Sequence, residues 1–344
     1  MAIVEPSYSS NRIMLGEQLP LDMPLSIVLD TSERCNFKCI YCFRSGIKDE
    51  TWGFAAKNEI MTMETFELAL KQLADFPRKL KLVSLSGHGE PLSNPHIADM
   101  ARRLRTSGVT EKIDMHTNAS LLTSENVTEI ANAGFTRVVV SLQGLDSADY
   151  KRVCGVDIDW ERFYHHLKRL YENKNEHMLI HIKISNTVFS QGDYVEKEGS
   201  FYSLFKPIAD SVFIEKAVPL WKNIQVDSSD NENKFGFDVG EVNHCPIVFY
   251  KLFIAPDGEI YPCTQLPPPM SLGNIHETTL IDAWNSPERI DFMKEHLCLT
   301  RHNHAPCVRC FIPVNTVVSQ EDNIDPYKKA IWDRMTKAEM KGGT

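Results

Sequence analysis

Cys35, Cys39 and Cys42 are the residues of this chain best suited to chemistry. The stretch Arg34-Cys35-Asn36-Phe37-Lys38-Cys39-Ile40-Tyr41-Cys42-Phe43 spaces its thiols Cys-x3-Cys-x2-Cys. Three thiolates on one short loop can hold three corners of a cubic iron-sulfur cluster, and with no fourth cysteine nearby one iron stays open. Structural zinc wants four ligands and would have to borrow a distant one. Three cysteines so close together cannot all pair as disulfides. An open iron is a place for reaction.

A second set of thiols comes late. Cys245 precedes the apolar run Phe249-Tyr250-Lys251-Leu252-Phe253-Ile254, the turn Ala255-Pro256-Asp257-Gly258, and Glu259-Ile260-Tyr261-Pro262-Cys263. Two strands about a Pro-Asp-Gly turn predict a hairpin that carries Cys245 and Cys263 toward the same end. Cys307-Val308-Arg309-Cys310 supplies two more. Four thiolates can close a tetrahedral zinc site or fully ligate a second 4Fe-4S cluster, and spacing alone does not separate the two. Cys154 and Cys298 remain, and free cysteines are most often small buried hydrophobes.

The elements that position these thiols alternate. Apolar strands are expected at Leu25–Leu29, Lys81–Leu85, Lys112–His116, Arg137–Leu142, Leu179–Ile184 and Ser211–Glu215, with amphipathic helices between them, the first over Met63–Phe76 behind Thr62 as N-cap. Six strands alternating with helices imply a parallel α/β sheet with right-handed crossovers. Residues 1–24, with Pro6, Pro20 and Pro24, read as an irregular arm. Val226–Val239 is polar and aperiodic and reads as a linker, so the expected units are a barrel at 25–225, a thiol-bearing domain at 240–315 and a helical tail at 316–344.

Hydrophobic residues make up 42% of the chain and charged ones 24%, which is ordinary for a globular protein. A net charge of -9 argues against a broad nucleic-acid surface but leaves room for an anionic small substrate held by local cations. No apolar run is long enough to span a bilayer and the N-terminus lacks signal-peptide character, so a cytoplasmic location is expected, where thiols serve metals or catalysis.

The cysteine loop, with Tyr41 just before the third thiol, resembles the signature of the radical S-adenosylmethionine (SAM) enzymes. That resemblance implies a partial (β/α)6 parallel barrel, a 4Fe-4S cluster on Cys35, Cys39 and Cys42, and SAM cleaved to a hydrogen-abstracting 5'-deoxyadenosyl radical. Gly89-Glu90-Pro91, after the second strand, is similar to the family turn that binds the SAM amino group, with His88 in place of its first glycine. By the same resemblance Tyr41, Gly87, Gly89, Glu90, Asn118, Ser141 and Asn186 are candidate SAM contacts, and Gln143 stands where many members carry Asp.

Cys245, Cys263, Cys307 and Cys310 resemble the ligands of the short, one-cluster C-terminal extension of this superfamily (twitch/SPASM-like), a small hairpin-and-helix iron-sulfur domain. Its layout is similar to that of 2-deoxy-scyllo-inosamine dehydrogenase. The expected function is oxidation or epimerisation of a sugar or cyclitol carbinol, with a flavodoxin- or ferredoxin-type electron donor and no nucleic-acid or membrane partner. In an epimerase Cys154 or Cys298 would donate the quenching hydrogen atom. Modification of a peptide side chain and a non-catalytic iron-sulfur protein are the alternatives. His88, Glu215 and Lys216 are candidate substrate groups from their places at strand ends, and Glu215 and Lys216 read equally well as an exposed pair.

Overall fold

The computed structural model describes residues 2–7, 12–46, 57–189, 192–218, 232–238, 242–298, 303–308, 310–313 and 320–342. The central part of the expected linker, residues 226–231, lies outside them, as does 239. Among the described residues nine strands in chain order are β1 (Ile3–Val4), β2 (Ser26–Leu29), β3 (Leu82–Ser84), β4 (Ile113–Thr117), β5 (Arg137–Leu142), β6 (Leu179–Ser185), β7 (Ser211–Glu215), β8 (Lys251–Ile254) and β9 (Ile260–Tyr261). They form one sheet in the order β1-β7-β6-β5-β4-β3-β2-β8-β9. From β2 to β7 every pairing is parallel and between sequence neighbours, the arrangement of an open barrel.

Helices cross between these strands. Met63–Leu73 starts at Thr62, whose side chain accepts from Thr65 N, a cap read correctly from the sequence. Ser147–Cys154 starts at Asp146 in the same way and stops at Gly155, whose φ of 72° suits glycine. Strand period then sorts the side chains. Ile180, Ile182 and Ile184 of β6 point outward into a dry core with Phe163, Leu167 and Leu170 of helix Trp160–Asn173. His181, Lys183 and Ser185 take the opposite, inner face.

Two features add to the expected units. The N-terminal arm is partly regular: β1 pairs parallel with β7, and helix Leu15–Gln18 leads to Leu19, which is buried in a second core with Val248, Phe249, Phe292 and Leu297. The hairpin of β8 and β9 also does not stand apart from the barrel. β8 pairs parallel with β2, Ser26 opposite Lys251, and Leu252, Ile254, Ile260 and Trp284 sit in the barrel's own core. Helix Lys328–Gly342 closes the second core with Ile331 and Met335.

Because Leu19 is fully buried in that second core, Leu19→Ala should lower stability by about 2–5 kcal/mol. Thermal unfolding of the purified protein checks it, and an unchanged midpoint would return the arm to a surface role.

Candidate cluster and substrate site

The cysteine loop has little regular structure of its own and is held from four sides at the C-terminal edge of the sheet. Arg34 O accepts from Glu90 N at 2.7 Å. A Cβ on Gly89 would lie 2.4 Å from the carbonyls of Ser32 and Arg34, so only glycine lets the β3 turn press against the loop. Asn36 Oδ1 accepts from Asn118 Nδ2 at 3.0 Å, and the Tyr41 hydroxyl donates to Gln143 Oε1. From below, Lys38 N and Ile40 N donate to the carbonyls of Cys154 and Val153, 3.2 and 2.9 Å away, at the end of helix Ser147–Cys154.

Glu90 is the hub of this rim. It is buried, and its carboxylate accepts from Thr117 Oγ1, from Leu92 N at 3.0 Å and from Asn118 N at 2.6 Å. Burial outweighs these donors and raises its pKa to about 7. Gly87 packs on the Asp30 carboxylate, where a Cβ would come within 2.1 Å. Ser141 lies on the inner edge of β5, its carbonyl accepting from Gln143 Nε2 at 3.0 Å, and Asn186 Oδ1 accepts from Ala217 N at 2.8 Å, tying the ends of β6 and β7. Glu90, Asn118 and Gln143 therefore gather around the loop, while Asn186 lies farther along the rim.

The two spare thiols are placed differently from each other. Cys154 is fully buried, donates to Tyr150 O at 3.0 Å and sits against Cys39, behind the loop. Cys298 is exposed at the end of helix Pro287–Leu297. Cys154 ends one helix and Cys298 caps another, and neither lies on the inner face of a strand.

The C-terminal thiols come together although they start 65 positions apart, and Cys263 feels Cys245, Cys310 and Cys307 at once. His88 joins this group to the barrel. Its Nε2 meets Thr264 O at 3.0 Å, next to Cys263, and its Nδ1 meets Asp30 Oδ2 at 3.2 Å. The residue expected to touch substrate instead bridges the barrel turn and the second thiol set. Glu215 and Lys216 are not a simple exposed pair: Glu215 bonds Lys183 at 2.6 Å, and Lys216 reaches Glu232 at 3.6 Å. Lys183 also belongs to this group, and the alternation Ile180-His181-Ile182-Lys183-Ile184 marks it as inward-facing.

Whether these residues suit a cluster follows from the donors themselves. Among the described residues no three His, Cys, Asp or Glu side chains gather closely enough to hold a single ion. Burial pushes the thiols of Cys35, Cys42 and Cys263 upward, and Cys154 followed by burial does so for Cys39. Metal is what would turn such thiols into thiolates.

The comparisons agree with this geometry. Residues 29–187 match the radical SAM superfamily, and residues 245–311 match the iron-sulfur cluster-binding domain SPASM. Residues 29–187 are thus a radical SAM domain and residues 245–311 a C-terminal SPASM domain. The first domain takes a 4Fe-4S cluster and SAM, and the second takes auxiliary iron-sulfur.

Among curated proteins it is 28% identical over 135 residues to the GTP 3',8-cyclase of Nostoc punctiforme, a match that spans 39% of either chain. In fold it is similar to BtrN in complex with AdoMet and 2-DOIA, with a TM-score of 0.55 and 15% identity over 88% of this chain and 98% of the other. It is also similar to anSMEcpe bound to AdoMet and the Cp18Cys peptide, with a TM-score of 0.54 and 14% identity over 91% and 98%.

Two measurements probe the site. After anaerobic reconstitution the wild type should hold about eight irons per chain and the Cys35, Cys39, Cys42 triple-Ala variant about four, as full ligation of a second 4Fe-4S cluster requires. Four falling to none would remove the second cluster.

Glu90 titrates higher in the folded chain than its ordinary value of 4.5. Its contribution is therefore present below pH 4.5 and lost as pH rises through about 7. Urea unfolding of cluster-free protein should show the wild type losing about 2 kcal/mol more than Glu90→Gln between pH 5 and 8. Parallel slopes would place Glu90 in an ordinary carboxylate environment.

Proposed function

We propose that the enzyme removes a hydrogen atom from a small polar substrate, a sugar or cyclitol carbinol, and oxidises it to the ketone. The carbinol carbon gives up the hydrogen atom, its oxygen gives up a proton, and one further electron leaves. A bound second cluster supplies a place for that electron. The observation that supports oxidation is Lys251 on β8. β8 lies beside β2 in the barrel sheet, and Lys251 on it interacts electrostatically with Asp114 and with Cys263 and Cys245, which supports a second thiol set close to the barrel interior.

Epimerisation is less favoured by the placement of the spare thiols, because a quenching thiol must reach the substrate and Cys154 is sealed behind Cys39. A second reading, modification of a peptide side chain, draws on the fold likeness to anSMEcpe, whose structure holds the Cp18Cys peptide. Both readings take a flavodoxin- or ferredoxin-type donor in a reducing, cytoplasmic setting.

Reduced, reconstituted enzyme should release 5'-deoxyadenosine and ketone in equal amounts from one member of a sugar and cyclitol panel. Solvent deuterium appearing at carbon without ketone would make it an epimerase. Turnover confined to peptides would favour the second reading.

A further inference from the structure

The inner face of the sheet carries more cations than carboxylates. Asp114 and His116 of β4, Arg137 of β5, His181 and Lys183 of β6, Glu215 of β7 and Lys251 of β8 share that face by strand period and register. Lys234 joins them from residues 232–238, a segment fastened by the bond from Lys216 N to Lys234 O at 3.1 Å.

Two ion pairs are complete. Arg137 meets Asp114 Oδ2 at 2.8 Å, and Lys183 meets Glu215 Oε2 at 2.6 Å. Lys234 then stands 3.9 Å from the other oxygen of the already paired Glu215. Lys251 has no carboxylate within ion-pair distance among the described residues, and its ammonium lies 5.7 Å from the centre of the Tyr250 ring. His181 adds no cation at neutral pH, since burial pushes it down to about 3. Among the described residues two ammonium groups are left in excess.

These groups are enclosed yet wet. The side chains of Arg137, Lys183 and Lys234 are 26%, 15% and 24% exposed, and that of His116 is 41% exposed although Ile113 and Met115 beside it are sealed. Desolvation of an unpaired ammonium is unfavourable. The cost is offset when an anion enters. A low-dielectric wall around like charges also concentrates their field, and it does so here in a chain whose net charge is -9.

We propose that the barrel interior binds an anionic group of the substrate, a phosphate or a carboxylate, between Lys183, Lys234 and Lys251. This rests on the reading of the barrel interior as the substrate site and narrows the polar substrate to one that carries such a group. Lys183 and Glu215 form the fixed wall, and Lys234 and Lys251 supply the charge that the protein leaves uncompensated. Three compact ammonium groups suit a small, multiply charged anion better than a flat bidentate one.

The test uses reconstituted enzyme and inorganic phosphate, with myo-inositol as the neutral control. Calorimetry should show saturable phosphate binding to the wild type, weakened at least tenfold in Lys234→Met and in Lys251→Met and unchanged in Lys168→Met, an exposed position on helix Trp160–Asn173. Absence of saturable binding, or equal binding in all three variants, overturns the proposal. If Lys251→Met alone leaves binding intact, Lys251 serves the second cluster and the three-lysine site is wrong. Should a variant not fold, lysine methylation of the wild type read by mass spectrometry decides. Phosphate must protect Lys183, Lys234 and Lys251 and leave Lys168 equally labelled, and uniform labelling rejects the site. Reductive cleavage of SAM by the wild type reports separately on the enzyme reading.

Discussion

A loop that must hold three thiols at the edge of a sheet cannot hold itself. Residues 30–42 contain no helix or extended strand apart from an isolated bridge at Ser32, so the position of Cys35, Cys39 and Cys42 depends on what grips the loop from outside. The grip is distributed: a backbone bond from the β3 turn, an amide from β4, another from β5, and two carbonyls at the end of a helix. They come from three different βα units, so the loop is right only when the barrel is assembled. Gly89 and Glu90 are central because one lets the turn approach and the other ties it to β4. Buried polar networks of this kind are firm when complete and costly when broken.

The same sheet separates two environments. Its outer face is packed with branched apolar side chains under the helices, and its inner face also carries hydroxyls, imidazoles, ammonium groups and carboxylates, some buried as Asp114 and His181 are and some partly exposed as Lys183 is. The two faces follow from one period of two, so a strand can be core and site at once. Glu215 shows the consequence. Burial alone would raise its pKa, and Lys183 and Lys234 hold it down to about 2, so it stays a carboxylate and keeps Lys183 in place.

The SPASM portion is joined to the barrel by more than a linker. β8 extends the parallel sheet beside β2, and His88 bridges Asp30 and the backbone next to Cys263. Trp284 sits in the barrel core, while the N-terminal helix sits in the core beneath the second thiols. This interleaving holds both thiol sets relative to one interior. It also explains why residue ranges describe the architecture poorly: the units are contiguous in chain but shared in core.

Local chemistry was legible in the residues. Thiol spacing, the period of β2 to β7, the Thr62 cap and the Pro-Asp-Gly turn each act over a few positions, so the cluster loop, the six parallel strands and the hairpin could be read directly. Contacts between distant segments could not. Nothing in Ile3-Val4 announces β7, nothing in His88 announces Thr264, and the family likeness of Asn118 says nothing of its bond to Asn36. Cys154 looked like a thiol open to substrate because it follows a strand, whereas helix Ser147–Cys154 turns it under Cys39. The sequence by itself determined which residues could hold metal and which strands would alternate, because both depend on short-range spacing. Only the tertiary structure decided which charges meet inside the barrel, because Lys183, Glu215, Lys234 and Lys251 become neighbours through strand register and chain return, which no local pattern records.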